Sequence, residues 1–191
     1  MTGPRPTRAD LLRAAGNTVP DVIGPALRVL FCGINPSLYA GATGHHFSRP
    51  GNRFWPTLHA AGFTDVRLSP AEGRRLLAFG YGLTNLVERA TASADELSAA
   101  ELVVGRDGLA AKVRRYRPRV VAVLGVSAYR TAFSSSGAVV GPQEARLGGA
   151  DVWVLPNPSG LNAHYPPTRL ADVYRELRLS LEPADADAPT V

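Results

Sequence analysis

The apolar residues of this chain gather into a few short blocks, each stopped by a cluster of turn formers. "LRVLFCGI" (27–34), "RVVAVLGV" (119–126) and "DVWVLPN" (151–157) are apolar at successive positions. Such runs suit strands covered on both faces, as in a parallel sheet. "YGLTNLV" (81–87) is a shorter fourth. Helical patterns fill the gaps at 53–61, 70–80, 93–116, 127–133 and 168–181. Strands alternating with helices predict an α/β fold, a three-layer α/β/α sandwich around a mainly parallel central sheet. Ligands of such folds bind beyond the carboxyl ends of the strands. Two of the strands run into the same tripeptide there, "GINPS" (33–37) and "LPNPS" (155–159). The paired Asn-Pro-Ser turns predict two loops meeting at one site.

Around this body the pattern weakens. Residues 1–25 form an arm with one short helix, "TRADLLRAAG" (7–16), for which Thr7 or Asp10 is a cap and Gly16 a stop. Residues 26–182 form a single domain. Residues 183–191, "PADADAPTV", have the low apolarity of a disordered acidic tail.

Composition narrows the class. The 191 residues suffice for one sizeable core. No run approaches the roughly 20 apolar residues of a membrane span, and the N-terminus lacks the apolar block of a secretory signal. A cytoplasmic protein is the expectation. Cys32 is the only cysteine, which excludes an internal disulfide and a thiolate metal cluster. The formal charge is +5, and every basic side chain except Lys112 is arginine. Arginine contacts phosphate bidentately, so the balance fits an anionic partner; an arginine-rich composition alone would look the same.

Common signatures are missing. There is no GxGxxG or GxxxxGK[ST] nucleotide loop, no GxSxG elbow, and no HExxH spacing among His45, His46, His59 and His164. What remains is the Asn-Pro-Ser pair and the loop "GATGHHFSRPGNRFW" (41–55). Asn35 is either a turn former bonded to nearby backbone or an amide that binds a water at the crevice mouth. Phe47, in a polar loop, either anchors that loop or offers a platform on which a base stacks. Asn52 either caps the following helix or bonds the edge of a base. Asp95 is a carboxylate able to activate water, although Ser93-Ala94-Asp95-Glu96 also has capping-box spacing.

Taken together, "GINPSL", "GHHFSRPGNRFW", "AGFTD", "GLTNLVERATAS" and "LPNPSGLN" resemble the mismatch-specific uracil-DNA and thymine-DNA glycosylase family of the uracil-DNA glycosylase superfamily. The resemblance runs in unbroken order from about Ala26 to Leu181. It implies a uracil-DNA glycosylase-like fold and a monofunctional DNA glycosylase of base excision repair. Such an enzyme flips uracil from duplex DNA, notably from G:U mispairs, and hydrolyses its N-glycosidic bond. By this likeness Asn35 positions the attacking water, Phe47 stacks on the flipped base, and Ala40 leaves room beside its C5. Gly33, Ile34, Ser37, His46, Asn52, Asn85 and Asn157 complete the base-binding set. Leu161 fills the hole left in the duplex, flanked by Ser159, Gly160 and Asn162. Three positions depart from relatives: Ser37 where glycine is frequent, Asn85 where some have lysine, and Asn162-Ala163 where some carry an arginine beside the opposite guanine.

The implied chemistry needs neither cofactor nor metal. Backbone N–H groups of the two turns, with His46, would stabilise the departing pyrimidine anion. Lys112 lies in "GLAAKVRRYRPR" on a solvated face and suggests no Schiff base, so the product is an abasic site. The expected partner is double-stranded DNA, with no membrane, and the protein acts as a monomer. Two alternatives are a catalytically silent binder of mispairs or abasic sites, and an enzyme for free nucleosides, which leaves Leu161 unexplained.

Overall fold

The computed structural model describes residues 5–182; the expected acidic tail lies outside them. Five strands, β1 (Val29–Gly33), β2 (Tyr81–Asn85), β3 (Val120–Leu124), β4 (Gly141–Leu147) and β5 (Ala150–Leu155), form one sheet in the order β2-β1-β3-β5-β4. All neighbours pair in parallel except β4, which runs antiparallel to β5. Six α-helices accompany them: α1 (Arg8–Arg13), α2 (Leu38–Thr43), α3 (Phe54–Ala60), α4 (Ala99–Tyr116), α5 (Val126–Ala132) and α6 (Pro167–Ser180). Two 3₁₀ segments lie at Pro70–Phe79 and Ala94–Glu96.

The alternation of strand side chains splits the apolar runs between two cores. Val29, Phe31, Val120, Ala122, Leu124 and Leu155 pack with α3, α6 and the Pro70–Phe79 segment. Leu30, Cys32, Val121, Val123, Val152 and Val154 pack with α4 and α5. Both layers therefore need every residue of the central strands to be apolar. The three-layer sandwich with a mainly parallel sheet is the observed architecture.

Four local differences have clear causes. The expected helix over 93–116 is two elements, because it holds two successive capping boxes. Glu96 accepts the Ser93 N–H and Glu101 accepts the Ser98 N–H, with extended Leu97 between them. The segment at 70–79 is wound as a 3₁₀ helix and ends on Gly80 at φ +80°. β4, "GPQEARL", was not expected. It is an edge strand with solvent-facing Pro142, Glu144 and Arg146 and a register shift, so it lacks the apolar signature of its neighbours. The segment before β1 packs more closely than its Gly and Pro content suggests. α1 lies on α2, Ala14 is buried, and Val22 exchanges backbone hydrogen bonds with Leu83.

Candidate nucleic-acid site

β1, β2 and β3 deliver Gly33, Asn85 and Leu124 to a cleft of about 390 Å³ beyond their carboxyl ends. Asn157, two residues after β5, joins them there. This is the crevice that a parallel sheet leaves open. Asn35, Ile34, Ser37, Ala40, His46, Phe47, Asn52, Asp95, Ser159 and Leu161 also line it. Gly160 and Asn162 do not line the cleft and instead support the loop that carries Leu161. The two Asn-Pro-Ser turns thus share one cavity.

Asn35 is held from one side. Its Nδ2 donates to the Arg89 carbonyl at 3.0 Å and to Thr91 Oγ1 at 2.6 Å. Thr91 Oγ1 in turn donates to the Ser93 carbonyl at 2.7 Å, so toward Asn35 it can only accept. Two acceptors fix which end of the amide is nitrogen. Asn35 Oδ1 is left without a hydrogen-bond partner among the described residues, on a half-buried side chain that lines the cleft. The strap that supplies those acceptors is sewn to the turn by backbone bonds, Thr91 N–H to Pro36 O and Leu38 N–H to Thr91 O. It is anchored outward by Arg89, whose guanidinium meets Glu101 at 2.6 Å. That pairing and the Ser98 cap hold the Glu101 carboxyl down at about 2. Thr91 and Arg89 were not singled out from the sequence, although their segment is one of the motifs of the resemblance; no local spacing in "ERATAS" shows which of its residues meet Asn35.

The floor and one wall are aromatic and amide. Phe47 stacks on Phe54 with centroids 4.0 Å apart, at positive φ. It is both an anchor and a half-buried surface of the cleft. Gly33 permits this closeness: a Cβ there would stand 2.5 Å from Asn85 Oδ1 and 3.3 Å from the Phe47 ring. Asn85 is buried, yet its amide has no hydrogen-bond partner among the described residues. Asn52 Oδ1 accepts the Phe54 N–H at 2.9 Å, a turn bond rather than a helix cap, since Arg53 holds the N-cap position without a side-chain bond; Asn52 Nδ2 has no partner among the described residues. Ser37 Oγ accepts the Ala40 N–H and caps α2, while buried Ala40 presents a small wall.

His46 behaves differently from the expectation. Its Nε2 lies 3.1 Å from the Pro20 carbonyl, an acceptor, so the ring proton sits on Nε2 and points away from the cleft. Burial pushes its pKa down. The neutral ring then offers Nδ1 only as an acceptor, and its imidazole is unsuited to stabilising an anion. Asp95 is exposed at the rim, where its carboxylate accepts from Ser93 Oγ at 3.0 Å. Glu96 does the backbone capping, which leaves Asp95 beside the opening.

The second turn is braced throughout. Asn157 Oδ1 accepts the Ser159 N–H, Ser159 Oγ accepts the Leu161 N–H, and Asn162 Nδ2 donates to Asn157 O. Tyr174 of α6 donates to Pro156 O, and the Arg53 N–H donates to Pro158 O. At the tip Leu161 is 79% exposed, the most exposed large apolar side chain among the described residues, and it lies at the edge of the cleft. Lys112 is remote from this chemistry: it is tied to Asp21 at 2.7 Å, Glu88 at 3.1 Å and Thr84, and does not line the cleft. Among the described residues no three or more His, Cys, Asp or Glu side chains converge as a metal site.

This chain resembles a candidate uracil DNA glycosylase from Methanosarcina acetivorans, known from a solution NMR structure. The two superpose with a TM-score of 0.53 at 18% identity, over 85% of this chain and 98% of that one, which is a likeness of fold. The sequence family described as the uracil DNA glycosylase superfamily matches residues 20–178, a span that contains both Asn-Pro-Ser turns, the Thr91 strap and the exposed Leu161. The protein therefore belongs to the uracil DNA glycosylase superfamily.

Proposed function

We propose that the protein is a monofunctional DNA glycosylase of the mismatch-specific uracil and thymine type. In this reading it takes uracil, above all from G:U mispairs, out of duplex DNA and hydrolyses its N-glycosidic bond. The observation that carries this reading is the orientation of Asn35. Its NH₂ is consumed by Arg89 O and Thr91 Oγ1, so Oδ1 is left for a cleft that also holds an aromatic face and the Asn85 amide, which has no partner among the described residues.

The chemistry follows from those parts. The base slides over Phe47, and the Asn85 amide, with one acceptor and two donor hydrogens, pairs with the O4 and N3–H edge of uracil. Asn35 Oδ1 accepts a hydrogen bond from a water and aims its lone pair at C1′. Asparagine is a feeble base, but breaking of the glycosidic bond runs ahead of attack and leaves a cationic sugar beside DNA phosphates. Negative charge grows on the pyrimidine, and in this reading it is met by turn N–H groups other than those of Ser159 and Leu161, which are already bonded within their own loop. Asp95 at the rim is a second acceptor for the proton released by the water. No lysine amine lines the cleft, so the product is an abasic site and an intact strand. Leu161 fills the vacancy in the stack, offsetting part of the few kcal/mol that extraction costs. The enzyme works as a monomer in the cytoplasm, at the chromosome.

A strand-scission assay tests the reading. Duplexes with uracil opposite G should yield alkali-labile sites, and no nick before alkali. Asn35→Ala should cut the single-turnover rate at least about 100-fold, the scale of a lost water-positioning group, while binding to the same duplex persists. Free deoxyuridine should not be hydrolysed. Intact DNA with wild-type protein would leave the silent binder as the alternative.

A further inference from the structure

We infer that Arg53 is the positioning residue for Leu161, and that base extraction depends on a guanidinium that reaches the leucine only through its loop. This rests on the reading of Leu161 as the residue that enters the duplex. A side chain 79% exposed has almost no packing of its own, so its place is set by the backbone of residues 158–165. Arg53 controls that backbone. Its Nη2 donates to the carbonyls of Ser159 and Asn162, on either side of the leucine, and its Nη1 donates to the carbonyl of Tyr165 at 2.6 Å. One planar fork thus spans the tip and fixes three carbonyl directions together, which the point charge of a lysine cannot copy.

The opposite side of the tip is blocked as well. A Cβ on Gly160 would stand 2.5 Å from the carbonyl oxygen of Gly51, so the tip lies tight against the turn that leads into Arg53. Arg53 also immediately precedes α3, whose first residue, Phe54, carries the Phe47 stack. The same residue therefore sets the separation between the base platform and the wedge. A wedge pressed against a duplex is useful only if its support does not give way, and this support is a side chain anchored at the start of a helix rather than the loop alone.

The test uses the full chain and the variants Arg53→Lys, Arg53→Met, Gly160→Ala and Leu161→Ala. Single-turnover uracil release is measured from a fully paired duplex and from the same strand with uracil in an unpaired bubble. A 2-aminopurine beside the uracil reports loss of stacking. Arg53→Lys and Arg53→Met should lose at least about tenfold on the paired duplex and less than about threefold in the bubble, with a weakened 2-aminopurine signal. Gly160→Ala, which disturbs the tip from its other side, should do the same, and it serves if the arginine variants do not fold. The double variant Arg53→Met/Leu161→Ala should be no slower than Leu161→Ala, because both changes remove one device. Equal losses on both substrates, or independent effects in the double variant, would overturn the assignment and leave Arg53 as a fold support. Wild-type protein inert on both substrates would instead overturn the glycosylase reading itself.

Discussion

At residue level the centre of the molecule is one oriented amide. A free asparagine side chain can turn over by 180°, which would exchange its carbonyl for its NH₂ at the cleft. Thr91 prevents this because its own hydroxyl proton is committed to Ser93 O. Thr91→Val should therefore slow single-turnover excision by about tenfold, the worth of one hydrogen bond of roughly 1 kcal/mol or a little more. Thr91→Ser should restore most of it. A valine variant as fast as wild type would show that Arg89 O is enough. Asn35 itself was legible from its place after an apolar run, but its partners were not. They lie 54 and 56 residues away, and local spacing carries no signal for contacts so distant. Arg53 was invisible for the same reason: its side-chain acceptors are backbone carbonyls more than 100 residues on.

At the level of elements, α4 shows how a helix can need one glycine and merely contain another. A Cβ on Gly105 would meet the Leu86 carbonyl oxygen at 2.3 Å, because the chain leaving β2 crosses the helix there. Gly108, one turn on, has nothing within 4 Å. Ala is a better helix former than Gly by about 0.8–1.0 kcal/mol, so Gly108→Ala should raise the unfolding free energy by about that amount. Gly105→Ala should lower it by about 2 kcal/mol or more, as backbone must move. Denaturant melts of the two variants check the pair, and a stabilised Gly105→Ala would refute the close crossing. The sequence does not distinguish these glycines, since both sit in the same helical pattern. β4 escaped for a related reason: an edge strand is defined by its neighbour, and its own residues are mostly exposed, with Gly141 and Pro142 at its start.

For the molecule as a whole, the buried imidazole of His46 links stability to pH. Burial pushes its pKa below the ordinary value, so the native state holds it neutral while the unfolded chain takes a proton near 6.5. Protons then favour unfolding as pH falls through that value, and His46 stabilises the fold only above it. The thermal midpoint should drop between pH 7.5 and 5.5. His46→Gln, which keeps a donor for the Pro20 carbonyl and has no charge to acquire, should flatten that drop. An acid-side decline unchanged in His46→Gln would place its origin elsewhere.

The sequence by itself determined the layers and the location of the cleft. Strands apolar at every position must be covered on both faces, and the turns after such strands must gather at one edge of the sheet. It also singled out Asn35 and Phe47 as residues with either an ordinary turn or packing role or a role at the cleft, and the family resemblance added Leu161. Only the tertiary structure decided what holds them. The amide is oriented by a strap from another part of the chain, the His46 proton is turned toward Pro20, and the leucine loop is clamped by the arginine just before α3. Periodicity records whether a residue faces water or core, a one-body property. The direction of a hydrogen bond is a property of pairs, fixed only when distant backbone arrives beside the side chain.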